Sequence, residues 1–252
     1  MSLAELAPGV LVATARTYST TSTVLLDGHG GAAVIDPAWH PDELAALAAE
    51  VAAMGLACAL GVATHEHYDH VLWHPGLGAV PRWASAATVG RYAADRGALL
   101  SPAAEFLTPE LLDLAGRGLL PLPGAALPWS GPEVEVITHD AHAPGHLALL
   151  THGGVLVAGD MLSDIELPMP ADDDQTLDRY RGGLEALARA VSRARWLIPG
   201  HGTPTAEPRR RLDADRRYLD AIAAGRTIDD PRVALPGMAE LHAANLRRAA
   251  AG

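Results

Sequence analysis

A mixed α/β fold is predicted for this chain, on three observations. Short runs of β-branched and apolar residues, bounded by glycine-rich turns, alternate with stretches whose apolar residues recur every three to four positions. Strands followed by a helix occur in that order twice along the sequence. Polar residues gather where the strand-like runs end, which is where loops on a rigid sheet carry chemistry. With 252 residues, 49% of them hydrophobic, the chain has ample apolar surface for a large core.

Taken in order, residues 10–17, 20–27 and 32–36 read as three strands, the first two antiparallel. Over 41–54 the apolar residues Leu44, Leu47, Ala48 and Val51 share one helical face. Pro41 stands at the start of that stretch and Gly55 just past its end, so a helix is predicted. A buried strand over 57–63 then runs into T-H-E-H-Y-D-H. Helices are expected over 84–97 and 102–115, and the Pro- and Gly-dense stretch 121–132 reads as a long surface loop. Strands over 133–138, 146–151 and 154–158 follow, the last ending in Gly159-Asp160. A helix over 177–194, a short strand over 196–198 that ends in P-G-H-G, and helices over 209–224 and 238–250 complete the series. No internal repeat is visible. The reading is one domain over 1–252, with a helical insertion at about 85–130 and a helical tail at about 207–252.

Charge and cysteine usage exclude several classes. Nineteen basic and thirty acidic residues give a formal net charge of −11, and lysine is absent. Neutralising a run of phosphates needs a dense cationic face, so no nucleic-acid partner is expected, despite the local cluster Arg209, Arg210 and Arg211. The single cysteine, Cys58, rules out an internal disulfide. The start M-S-L-A-E-L-A-P lacks the basic and apolar regions of a signal peptide, and no stretch reaches the roughly 18 apolar residues of a membrane helix. A cytoplasmic protein with a small-molecule substrate and no membrane partner is the expectation.

Twelve histidines are the anomaly. His65-Glu66-His67-Tyr68-Asp69-His70 puts three imidazoles and two carboxylates directly after an apolar strand. On a turn leaving a sheet, His65 and His67 can approach one cation while Asp69 and His70 approach a second. Imidazole nitrogen with carboxylate oxygen suits Zn²⁺ and is acceptable to Fe²⁺ or Mn²⁺.

H-x-H-x-D-H after a strand resembles the metallo-β-lactamase-fold superfamily of metallo-hydrolases. The resemblance implies a four-layer αββα sandwich, two mixed sheets flanked by helices. It also assigns further residues. Asp36 in V-I-D-P would steady the metal loop, although a plain turn residue ahead of Pro37 is the alternative. His146 in A-P-G-H would be the third ligand of the first metal, Asp160 in V-A-G-D the bridging carboxylate, and His201 in I-P-G-H-G the last ligand of the second metal. The first metal would then take His65, His67 and His146, and the second Asp69, His70 and His201, with Asp160 joining them. Two Zn²⁺ per chain are implied, Fe²⁺ or Mn²⁺ being possible. Asp69 and Asp160 would serve catalysis directly. His142 competes with His146 only if the P-G-H assignment is wrong. Roles for His74, His139, His242 and Asn245 stay open.

Within the superfamily, the acidic lysine-free chain argues against RNA processing, and no residues remain for a flavin domain. The resemblance implies a binuclear metal-dependent hydrolase whose metal-bridging hydroxide cleaves a small ester, lactone or thioester. The alternative of the same fold is a mononuclear iron sulfur dioxygenase, which would not need Asp69, His70 and His201 to hold a second metal. Trp73 suggests an apolar wall or a tightly packed loop beside the site. Arg179 and Arg181 are candidates either for a substrate carboxylate or for surface ion pairs.

Overall fold

The computed structural model describes residues 2–170 and 177–251; residues 1, 171–176 and 252, which the one-domain reading spans, lie outside the described residues. The first sheet collects seven strands in chain order: β1 (Ala4–Ala7), β2 (Val10–Thr14), β3 (Thr21–Leu26), β4 (Gly31–Ile35), β5 (Ala57–Val62), β6 (Arg82–Ala84) and β7 (Leu119–Pro121). Strands β1 to β4 pair antiparallel and β4 to β7 parallel. The second sheet has the order β11 (Trp196–Ile198), β10 (Val155–Val157), β9 (His146–Thr151) and β8 (Val134–His139), with only β10 and β11 parallel.

Period-two side-chain alternation explains why these sheets stack. Leu25, Ala33 and Ile35 of the first sheet meet Val136, Leu147 and Leu149 of the second in an inner core. The alternate residues Val24 and Val34 face outward onto Leu47, Ala48 and Val51 of α1 (Pro41–Ala53). On the far side Ala148 and Leu150 meet Tyr180, Leu184 and Leu187 of α4 (Leu177–Arg193) and Leu219 of α5 (Pro208–Ala223). Helix, sheet, sheet, helix is therefore the layer order. The α/β class with two mixed sheets and flanking helices is as the sequence predicts.

Helix α1 begins and ends for the reasons its sequence gives. Pro41 sits in the first turn, Glu43 Oε2 accepts the His40 N–H at 3.2 Å, and Gly55 takes φ +73 just beyond the last turn. Residues 85–121 form α2 (Ala86–Leu100), α3 (Pro109–Leu114) and β7, which with β6 widens the first sheet. Leu100, Leu111 and Tyr92 from this segment pack on Val71 and Leu72, just past the histidine-rich loop. A last helix, α6 (Met238–Ala251), lies beside α5. Trp73 is buried beneath the first sheet, where its ring lies against Gly61 and its Nε1–H donates to Gly78 O at 3.0 Å. It packs the loop. No helix among the described residues is long and apolar enough to cross a membrane.

Candidate metal centre

The parallel neighbours β4 and β5 end together, with Ile35 opposite Val62, so Asp36 and Thr64 emerge side by side. Asp36 takes φ +48, a region Asp tolerates better than most residues, which lets its buried carboxylate face the next strand end. Its Oδ1 accepts Thr64 N–H at 2.8 Å; its Oδ2 accepts the Thr64 hydroxyl at 2.6 Å and His70 Nδ1–H at 2.9 Å. Thr64 Oγ1 in turn lies 3.1 Å from His65 Nδ1. One carboxylate thus orients histidines from both halves of the loop, as the remote nitrogens of metal-binding imidazoles require.

Two groups of donor atoms converge at this sheet end. In the first, His65 Nε2 lies 3.0 Å from His67 Nδ1, and His142 Nε2 lies 3.1 Å from the same atom. Asp160 Oδ2 stands 3.5 Å from His65 Nε2 and 3.4 Å from His142 Nε2. In the second, Asp69 Oδ2 lies 3.2 Å from both His70 Nε2 and His201 Nε2. Asp160 reaches this group too, with Oδ1 at 3.1 Å from His70 Nε2 and Oδ2 at 3.3 Å from His201 Nε2. Tetrahedral Zn–N bonds of about 2.0–2.1 Å place neighbouring donors about 3.3 Å apart, and these separations bracket that value. His70 Nε2 and Asp160 Oδ1 are buried without a hydrogen-bond partner among the described residues. Imidazole nitrogens and carboxylate oxygens gathered this closely fit divalent cations in both groups.

The electrostatics agree. Burial alone would lift the Asp160 carboxyl, but His201, His70 and His65 outweigh it and hold it well below the usual carboxylate range. Asp69 is held down against its burial by His70 and His201 in the same way. Burial would lower His201, yet Asp160 and Asp69 raise it to about 11, and with Asp36 they raise His70 well above its ordinary value. Burial and neighbouring imidazoles push His65 down, and His67 down to about 4.

His146, expected as the third donor of the first position, is placed elsewhere. It opens β9, paired with His139, and its Nε2 accepts the backbone N–H of Asp160 at 3.1 Å. Its ring stacks on His65 at 4.9 Å and on His139 at 4.7 Å. The Gly159 turn, at φ +54, fits against this ring; a Cβ there would meet His146 Cε1 at 2.5 Å. The imidazole grouped with His65, His67 and Asp160 is His142, on the loop between β8 and β9, with its Nδ1–H held by Met169 O at 2.7 Å. The signal was in the sequence. A residue that begins a strand is committed to the sheet, whereas the one four earlier in H-A-P-G-H is free to face the site. Asp69, His70, Asp160, His201, His65 and His67 are all brought together, and Asp36 stands behind them.

The remaining histidines do other work. His74 Nδ1 caps a short turn by accepting Gly76 N–H at 3.0 Å. His242 and Asn245 both meet the Tyr218 hydroxyl, at 3.0 and 3.2 Å, and Asn245 is fully buried. Arg181 pairs with Asp220 at 2.6 Å between α4 and α5.

Two features escape sequence reading. Glu166 lies with Asp160 and His201 in a group whose donor atoms are all within 4.8 Å of one another. An aromatic cluster borders the second group: Tyr18, 64% exposed, meets Trp39 edge-on at 5.5 Å, and Trp39 meets Tyr68 at 5.5 Å and stacks on Phe106 at 5.8 Å. Tyr18 also supplies its carbonyl to His201 Nδ1 at 3.2 Å. These residues are scattered along the chain and no motif joins them.

The family model described as the metallo-beta-lactamase superfamily matches residues 16–222. No curated protein matches the chain significantly. Among solved structures, a beta-lactamase domain protein from Burkholderia ambifaria is 22% identical, with a TM-score of 0.64 over 88% of this chain and 78% of that one. A metallo-beta-lactamase family protein from Thermus thermophilus is also 22% identical, with a TM-score of 0.63 over 87% and 83%. A metallo-beta-lactamase from Pontibacter korlensis is 17% identical, with a TM-score of 0.63 over 84% and 95%.

Proposed function

The chain belongs to the metallo-β-lactamase superfamily, and from that premise we propose that it is a metal-dependent hydrolase with two divalent-cation positions, cleaving a small ester, lactone or thioester. The observation that carries this reading is the position of Asp160, whose carboxylate lies within 3.5 Å of donors in both groups. His65, His67 and His142 would hold the first cation, Asp69, His70 and His201 the second, and Asp160 both. Zinc suits the nitrogen-rich first set. Bound divalent cations supply an activated water near neutral pH and polarise the substrate's oxygen.

The chain's own side chains do the rest. Asp36 and Thr64 fix the rings of His70 and His65, so neither has to reorganise when substrate arrives. Asp69 Oδ2, beside His70 and His201, is placed to accept a hydrogen bond from the attacking water and hold its lone pair toward the acyl carbon. Tyr18, exposed and edge-on to His201, offers an apolar face for the acyl group. A mononuclear-iron reading leaves Asp69, His70 and His201 converging without use.

Metal-loaded protein assayed against a lactone, a thioester, nitrocefin and a phosphodiester tests the proposal. Lactone or thioester hydrolysis is expected, lost on chelation and regained on adding metal back. Turnover indifferent to a chelator would overturn it, as would one iron per chain with oxygen uptake on a thiol-derived substrate.

A further inference from the structure

We propose that Glu166 is a fifth donor at the second cation position, making that position oxygen-rich while the first stays nitrogen-rich. The inference rests on the two-cation reading above. Glu166 follows Asp160 on the loop after β10, half-buried, and its carboxylate shares a 4.8 Å neighbourhood with Asp160 and His201. Among the described residues no hydrogen bond or ion pair engages that carboxylate. Its backbone, by contrast, is held at both ends. Ser163 Oγ accepts the Glu166 N–H at 3.1 Å while donating to His201 O at 2.7 Å, so the turn that carries Glu166 is tied to the residue it would assist. Arg232 Nη1 donates to Ser163 O at 3.0 Å and to Glu166 O at 2.9 Å. A side chain left unpartnered on a backbone so fully anchored is aimed rather than loose.

The chemistry of the two sets then differs. His65, His67 and His142 with Asp160 give three nitrogens and one oxygen donor, a set that satisfies four-coordinate Zn²⁺. His70 and His201 with Asp69, Asp160 and Glu166 give two nitrogens and three carboxylates. Carboxylate-rich sets with more than four donors suit Mn²⁺, whereas Zn²⁺ is content with four. Arg232 acts as a positioning residue, because it touches the Glu166 backbone and not the donor atoms.

Titration of metal-free wild-type and Glu166→Gln protein with Mn²⁺, followed by the loss of the free-ion EPR signal, and in parallel with Zn²⁺, tests the assignment. Circular dichroism of both proteins checks that the variant is folded. The expected result is two Mn²⁺ equivalents in the wild type and, in the variant, a second equivalent weakened about tenfold or more with the first unchanged. Zn²⁺ binding is expected to weaken far less. An unchanged second Mn²⁺ equivalent overturns the assignment, as does equal weakening of Mn²⁺ and Zn²⁺, which would mark Glu166 as a nearby charge. If the wild type takes up no second equivalent of either ion, the two-cation reading itself fails.

Discussion

Asp160→Ala protein holds one equivalent of divalent metal or less and loses hydrolytic turnover by more than about a hundredfold. Changes to residues that merely orient metal ligands cost about 10–100-fold, and Asp160 is the one side chain both groups share. Removing it takes an anion from between two sets of donors and leaves His65 and His142 facing His70 and His201 across an empty centre. The backbone is not at risk, because the Asp160 N–H still donates to His146 and the turn is fixed by Gly200 N–H on Gly159 O at 2.6 Å. Gly200 matters for a second reason. A Cβ there would sit 2.0 Å from Asp160 Oδ1, so the carboxylate occupies space only glycine leaves. Metal analysis together with kinetics on the folded variant checks the expectation, and full activity would remove Asp160 from its bridging role.

Arg232→Met lowers stability by about 3–5 kcal/mol at neutral pH, the cost of stranding one member of a buried ion pair. Arg232 is 5% exposed and Asp215 1%, and their Nη1 to Oδ1 distance is 2.6 Å. The guanidinium also bonds Asp230 through Nε and Nη2 and the carbonyls of Ser163 and Glu166 through Nη1. Burial pushes the Asp215 carboxyl up to about 6, with Arg232 pulling the other way. Without Arg232 the carboxyl rises further. The charged form is then what costs stability in the variant, so its deficit shrinks as the pH falls through the variant's further-raised pKa toward about 6, where Asp215 of the wild type begins to take up a proton as well. Urea unfolding of metal-free wild-type and variant protein at pH 8 and pH 5.5 measures both the loss and its narrowing.

What the sequence makes legible follows from physics that acts locally. Strand β9 alternates between the inner core at Leu147 and Leu149 and the helical layer at Ala148 and Leu150, and such alternation is readable over six residues. It is not readable over the three residues of β6 or β7, whose pairing is imposed by the growing edge of β5. The histidine-rich loop announces itself by density alone. His142 and His146 do not separate that way, since two imidazoles four residues apart are chemically alike; only strand membership of His146 divides them. Glu166, Arg232 and Asp215 are legible only in three dimensions. Their contacts join residues 66 and 17 positions apart, and no local pattern encodes such pairings.

Metal content of purified wild type, His142→Ala and His146→Gln, measured side by side after equilibration with zinc, addresses the centre most directly. Two equivalents in the wild type, two in His146→Gln and at most one in His142→Ala is the result the geometry predicts, because His142 Nε2 faces the donors whereas His146 Nε2 is occupied by a backbone N–H. Two equivalents retained in His142→Ala with one lost from His146→Gln would contradict it.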